Sequence, residues 1–214
     1  MPVMENREYR NINIQDIEVR DQGEEMTVEG YAATFDQEYE LFRAGKYIVM
    51  ESVDGHAFDE TDMRDVIMQY DHEGRVFARS GNGTLEVKPD AHGLRVRASL
   101  GGTEIGRQLY EEIRGGYTTK MSFGFTVTGQ ERSEEERDGA TILHRKITKV
   151  GKLYDVSAVS LPANDATEIS SRTCGNGLIA EVEQERLAIE ARKNHIRKIR
   201  LLIEIGGDNN DGRD

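Results

Sequence analysis

Short apolar runs at close spacing, with only two stretches of helical period among them, most constrain what this chain can fold into. Met26-Thr27-Val28-Glu29-Gly30-Tyr31-Ala32-Ala33-Thr34-Phe35 alternates as a half-buried strand does. Residues 47–50, 83–88, 93–100, 120–125, 142–149 and 153–161 read as further strands, and Ile12, Ile14, Ile17 and Val19 as an earlier one. Residues 58–68 read as a helix, with carboxylates crowded in the first turn and Phe58, Met63, Val66 and Ile67 as a partial apolar face. A second helix is expected from the N-cap Thr103 through Arg114, with Ile105, Leu109 and Ile113 at four-residue steps and Gly115 as the stop. The pattern predicts a mostly β (α+β) chain, a compact β-barrel with a few surrounding helices. Residues 1–11 read as frayed, 36–46 as a charged loop and 131–138 as a solvated acidic hairpin tip.

Composition changes after Ile169. Residues 170–177 read as a linker, residues 178–205 as one long helix and residues 206–214 as a disordered tail. Val182, Ile189, Ile196 and Ile203 recur every seven residues, but Glu185 and Arg192 interrupt the companion seam. That predicts a docking or weakly self-associating helix, not a stable zipper. The expected division is one domain over 1–170 and an appendage over 171–214. A formal charge of -12 argues against nucleic acid or an anionic membrane as partner. The single Cys174 excludes an internal disulfide and fits a reducing compartment. No apolar run approaches the roughly 20 residues of a membrane span, and residues 1–15 are too polar for a signal peptide. The expectation is a soluble cytoplasmic protein.

Chemistry has few sources here. There is no paired-cysteine or His-Glu-x-x-His motif for zinc, no phosphate-binding glycine loop and no Gly-x-Ser-x-Gly elbow. Neither a metal nor another cofactor is expected. In Lys120-Met121-Ser122-Phe123-Gly124-Phe125, strand parity puts Met121, Phe123 and Phe125 on one face and Ser122 with Lys120 on the other. Gly124, two residues on, is expected to leave the serine's face open, as a reactive hydroxyl needs. The plainer reading is a strand serine that only satisfies a hydrogen bond. His72 follows a predicted helix, and Asp155 interrupts the apolar run Leu153-Tyr154-Asp155-Val156. A buried carboxylate needs a donor, and a histidine Nδ1–H is a suitable one. Together the three residues could form a nucleophile, base and orienting acid: neutral His72 takes the proton from Ser122 while Asp155 fixes the tautomer. Each alone has a plainer reading, His72 as a loop residue capping a helix end and Asp155 as an edge-strand carboxylate.

Tyr70-Asp71-His72-Glu73-Gly74-Arg75, then Lys120-Met121-Ser122-Phe123-Gly124-Phe125, then Leu153-Tyr154-Asp155-Val156-Ser157-Ala158-Val159-Ser160-Leu161-Pro162-Ala163-Asn164 resembles, in this order, the prohead proteases of tailed bacteriophages. These are capsid-maturation serine peptidases related in fold to the herpesvirus assemblins. The likeness spans roughly residues 26–170, which would make 1–170 the protease domain. It implies Ser122 as nucleophile, His72 as general base and Asp155 as third member. Assemblins use a second histidine instead, which makes His144 the rival for that place. The resemblance further implies an acyl-enzyme mechanism. Its substrates would be the major capsid protein's scaffolding region and the protease itself, inside the assembling prohead in the host cytoplasm.

On this reading, backbone N–H groups near Pro162-Ala163-Asn164 are expected to hold the oxyanion. The C-terminal segment would anchor the enzyme in the shell or mediate self-association as a dimer or higher oligomer, then be trimmed near residues 165–180. Two other readings stand beside it: a non-catalytic scaffolding protein using the same barrel and tail, and a cytoplasmic esterase.

Overall fold

The computed structural model describes residues 7–13, 18–22, 25–159 and 165–207, with side chains described for 7–10, 26–159 and 170–202. Internal contacts divide the chain into units spanning Met1–Gly175 and Asn176–Asp214.

The spine of the first unit is a long antiparallel hairpin of β10 (Lys120–Arg137) and β11 (Ala140–Val159). Its tip is Asp138-Gly139, both at positive φ, the pair that a two-residue hairpin turn matched to strand twist requires. The acidic stretch expected at the tip is therefore strand, paired from Glu131↔Lys146 to Arg137↔Ala140 with its side chains in solvent. The two strands predicted over 142–149 and 153–161 are one continuous strand, whose first half pairs in parallel with β5 (Tyr47–Val53) and whose second half pairs in parallel with β6 (Ile67–Tyr70).

Residues 54–66 link β5 to β6 along the edge of β11, and they are not the helix expected there. Ala57, Phe58 and Val66 are buried, and β11 supplies the backbone partners that a helix would find in itself. Asp62 N–H donates to Gly151 C=O, Leu153 N–H to Asp62 C=O and Val150 N–H to Ala57 C=O. Tertiary pairing has overridden a weak local preference.

Two further expectations give way to strands. The charged stretch 36–46 contains β4 (Tyr39–Ala44), a hairpin partner of β5 turning at Gly45. The region read as frayed, residues 1–11, holds the first four residues of β1 (Glu8–Asn13), antiparallel to β10 on the side away from β11. Completed by β7 (Glu73–Arg79), which pairs with β6, this sheet runs β1-β10-β11-β5-β4. A second, all-antiparallel sheet runs β2-β3-β9-β8, with β2 at Glu18–Gln22, β3 at Glu25–Thr34, β8 at Leu85–Pro89 and β9 at Gly93–Ser99. The predicted barrel does not close: among the described residues no ladder joins the two sheets, and closure requires one.

One core fills the first unit. Val28 and Ala32 of β3, Leu94 and Val96 of β9, Phe123 and Phe125 of β10 and Val156 of β11 meet Leu109, Tyr110 and Ile113 of helix α1 (Glu104–Arg114). Thr103 caps α1 as expected, accepting a hydrogen bond from Gly106 N–H. Phe123 and Phe125 stack at 4.5 Å and are fully buried. Each such burial contributes about 1.5–3 kcal/mol, which fixes the register of the strand between them.

Helix α2 spans Asp165–Gly207, so the residues expected as a linker are helical. Within the first unit, Gly175 of α2 lies so close to Phe42 that a Cβ would sit 2.3 Å from its ring. In the second unit, Leu187, Ile189, Ile196 and Leu202 are exposed.

Candidate active site

The two strands of the spine place Asp155 beside Ser122. Ser122 pairs with Ser157 and Gly124 with Asp155, so serine and carboxylate lie diagonally across neighbouring strands. Strand parity gives Asp155 and Ser157 one face and Val156 and Ala158 the other, where the core is. Asp155 is thus on a central strand, between β10 and β6, not an edge strand.

His72 arrives from the turn of the β6–β7 hairpin. Asp71 and His72 both have positive φ (48° and 60°), as a tight primed turn demands, and Asp and His tolerate that region better than most side chains. Asp71 N–H donates to Ala158 C=O at 2.9 Å, tying the turn to β11 just past Asp155. The backbone strain at His72 is held in place by this pairing.

The three side chains are in hydrogen-bond contact. His72 Nε2 lies 2.6 Å from Ser122 Oγ, and His72 Nδ1 lies 2.5 Å from Asp155 Oδ1. Ser157 Oγ–H donates to the same Asp155 oxygen at 2.8 Å, and Arg7 binds Asp155 Oδ2. Ser122 and Asp155 are fully buried and His72 is 6% exposed. Such an arrangement can pass a proton from the hydroxyl to the imidazole while the carboxylate holds the Nδ1–H tautomer.

Burial, helped by the Arg7 charge, lowers the His72 pKa to about 3. The imidazole is therefore neutral in this state, with Nε2 free to accept. Between about pH 6.5 and that value the unfolded chain binds a proton that the folded chain does not, so stability falls as pH drops through this window. The His72 Cε1–H resonance should accordingly hold its neutral position from pH 8 down to pH 5. A midpoint near the ordinary value of ~6.5 would contradict this environment.

The expectation that Gly124 opens the serine's face to solvent does not hold. A Cβ there would lie 2.5 Å from Asp155 Oδ2 and 2.8 Å from Arg7 Nη2. The glycine makes room for the carboxylate and its arginine. The rival His144 sits in the distal half of β11, opposite Ser133, and its Nδ1 lies 2.6 Å from Glu38. The structure does not bring it to Ser122. The stretch Pro162-Ala163-Asn164, expected near the oxyanion, lies outside the described residues. A small pocket is lined by Met68, Ile113, Met121 and Ala158, on the core side of β10 and not on the serine's face.

Ser157 and Arg7 were not singled out from the sequence. Ser157 was legible, because it shares the parity of Asp155. Arg7 carries no pattern signal in its polar surroundings.

A second polar cluster lies farther along β1. Arg10, buried, binds Glu51 at 2.5 and 3.0 Å, and Arg145 binds Glu51 at 2.5 Å and Glu8 at 2.8 Å. Burial alone would raise the Glu51 carboxyl, but Arg10 and Arg145 outweigh it and hold the group below its usual range. Glu8, Glu51 and the Cys174 thiol come close enough for a cation. The two guanidiniums already balance both carboxylates, and burial pushes the thiol pKa up, so the chemistry of the set does not favour a metal.

A family model described as caudovirus prohead serine protease matches residues 13–178. A solved structure of the bacteriophage T4 capsid assembly protease, gp21, is similar at 12% identity and a TM-score of 0.36, covering 71% of this chain and 98% of that one. None of the curated proteins matches.

Proposed function

Since the chain belongs to the caudovirus prohead serine protease family and is therefore a serine peptidase, we propose that it cleaves the scaffolding region of the major capsid protein with Ser122 as nucleophile. The observation that carries the assignment is the pair of contacts on one imidazole, 2.6 Å to Ser122 Oγ and 2.5 Å to Asp155 Oδ1. His72 acts as general base, drawing the proton onto Nε2 as Ser122 Oγ adds to the scissile carbonyl. Asp155, itself held by Ser157, keeps Nδ1–H in place and stabilises the imidazolium. His72 then returns the proton to the leaving amine. Water, activated by the same imidazole, releases the acyl group and regenerates Ser122.

The chain's own C-terminal segment is a second substrate, cut between residues 165 and 180. The Gly175-Asn176-Gly177 run supports this, since glycine and asparagine disfavour helix and make local unwinding cheapest there. The enzyme acts inside the assembling prohead, where capsid protein and its scaffold are concentrated. Co-expression with the capsid protein should give a shortened capsid chain. Mass spectrometry of the recovered protease should show its own chain ending between residues 165 and 180. A capsid protein left at full length would overturn the substrate assignment, and a protease always intact would overturn self-trimming.

A further inference from the structure

Ser122 is fully buried, so a peptide cannot reach it while its surroundings stay as they are. Three elements enclose it. On one side lies β11, which carries Asp155, and over it lies the β6–β7 turn, which carries His72. On the other side lies β1, with Asn11 opposite Ser122, and β1 carries none of the three reacting groups. We propose that β1 occupies the edge of β10 on which an extended peptide substrate docks as an added strand, and that β1 must leave before Ser122 can act. This rests on reading Ser122 as the nucleophile.

β1 does more than fill the edge. The Tyr9 ring packs edge-on against the His72 imidazole at 4.5 Å, covering the base. Arg7 reaches from the start of β1 to Asp155 Oδ2, stacked against Tyr9 and Tyr154. A cation on that carboxylate opposes the imidazolium that forms when His72 accepts a proton. Arg7 therefore suppresses the step that Asp155 favours. Its Nε is buried without an acceptor among the described residues, an arrangement suited to a segment that departs. An extended peptide in the place of β1 would keep the strand pairing and bring a carbonyl to Ser122 instead of an arginine to Asp155.

The occupant is latched. Arg10 is held by Glu51, and Tyr9 N–H donates to Ser170 Oγ at 3.1 Å, so the first turns of α2 belong to the latch. Cleavage of that helix near its start would loosen β1, which couples trimming to opening.

Two full-length variants test the proposal with a fluorophosphonate probe read at Ser122. Arg7→Ala combined with Tyr9→Ala should be labelled about tenfold faster than the parent chain, or more. Asn13→Cys combined with Lys120→Cys, at strand-partner positions, pins β1 to β10 once oxidised. The oxidised form should be nearly inert and recover on reduction. Equal labelling of the parent, unlatched and pinned chains would overturn the occupancy of β1 and leave Ser122 as nucleophile. If Ser122 is labelled in none of them, the nucleophile assignment falls, and the docking edge with it.

Discussion

Replacing Ser122 by alanine should abolish capsid-protein processing, lowering turnover by about 10⁶, the scale seen when such a nucleophile is removed from a working triad. The size follows from non-additivity. Without the hydroxyl, His72 and Asp155 have no proton to move, and only substrate binding survives. The fold should tolerate the change. Ser122 is buried between Met121 and Phe123, whose packing holds the strand, and alanine removes one oxygen from the opposite face. The cost is the partner lost by His72 Nε2, about 1–3 kcal/mol for a buried group left unsatisfied. A urea or thermal melt should therefore show a cooperative transition close to the parent's, alongside capsid chains that stay at full length. Processing that continues in this variant would remove Ser122 from the reaction.

The features legible in the sequence were those with a short-range cause. The helix from Thr103 to Gly115 was readable because cap, apolar steps and stop all lie within one element. The strand through Ser122 was readable because parity alone separates Phe123 and Phe125 from the serine. What escaped depends on distant partners. Residues 54–66 look helical until β11 supplies their backbone hydrogen bonds. β1 looks like a frayed end because its hold on the fold comes from Glu51, Arg145 and Ser170, none of them near it in sequence. Gly124 shows the same limit in one residue. Its lack of a side chain was evident, but its purpose depends on Asp155 and Arg7, which lie 31 positions after it and 117 before it.

The place of Asp155 can be decided against its rival by two substitutions with opposite outcomes. Asp155→Asn should reduce turnover by about 10⁴ at nearly unchanged volume. The reason is the direction of the amide. While β1 is seated, Arg7 donates toward the Oδ2 position, so an asparagine turns its carbonyl oxygen to Arg7 and its NH₂ toward His72 Nδ1. The imidazole must then accept at Nδ1 and carry its proton on Nε2, where it can no longer take one from Ser122. Once β1 has left, the neutral amide still offers no negative charge to the imidazolium. Nitrogen chemical shifts of His72 should show this reversed tautomer, a signature that simple loss of packing would not give. His144→Ala removes contacts with Glu38 and Glu135 away from Ser122, of the kind that contribute roughly 0–1 kcal/mol each, and should leave turnover and the His72 spectrum as they were. If His144→Ala abolishes processing while Asp155→Asn retains it, the third position belongs to His144. The geometry argues for the reverse, since the carboxylate on β11 touches the imidazole and the second histidine faces Glu38 in the loop before β4.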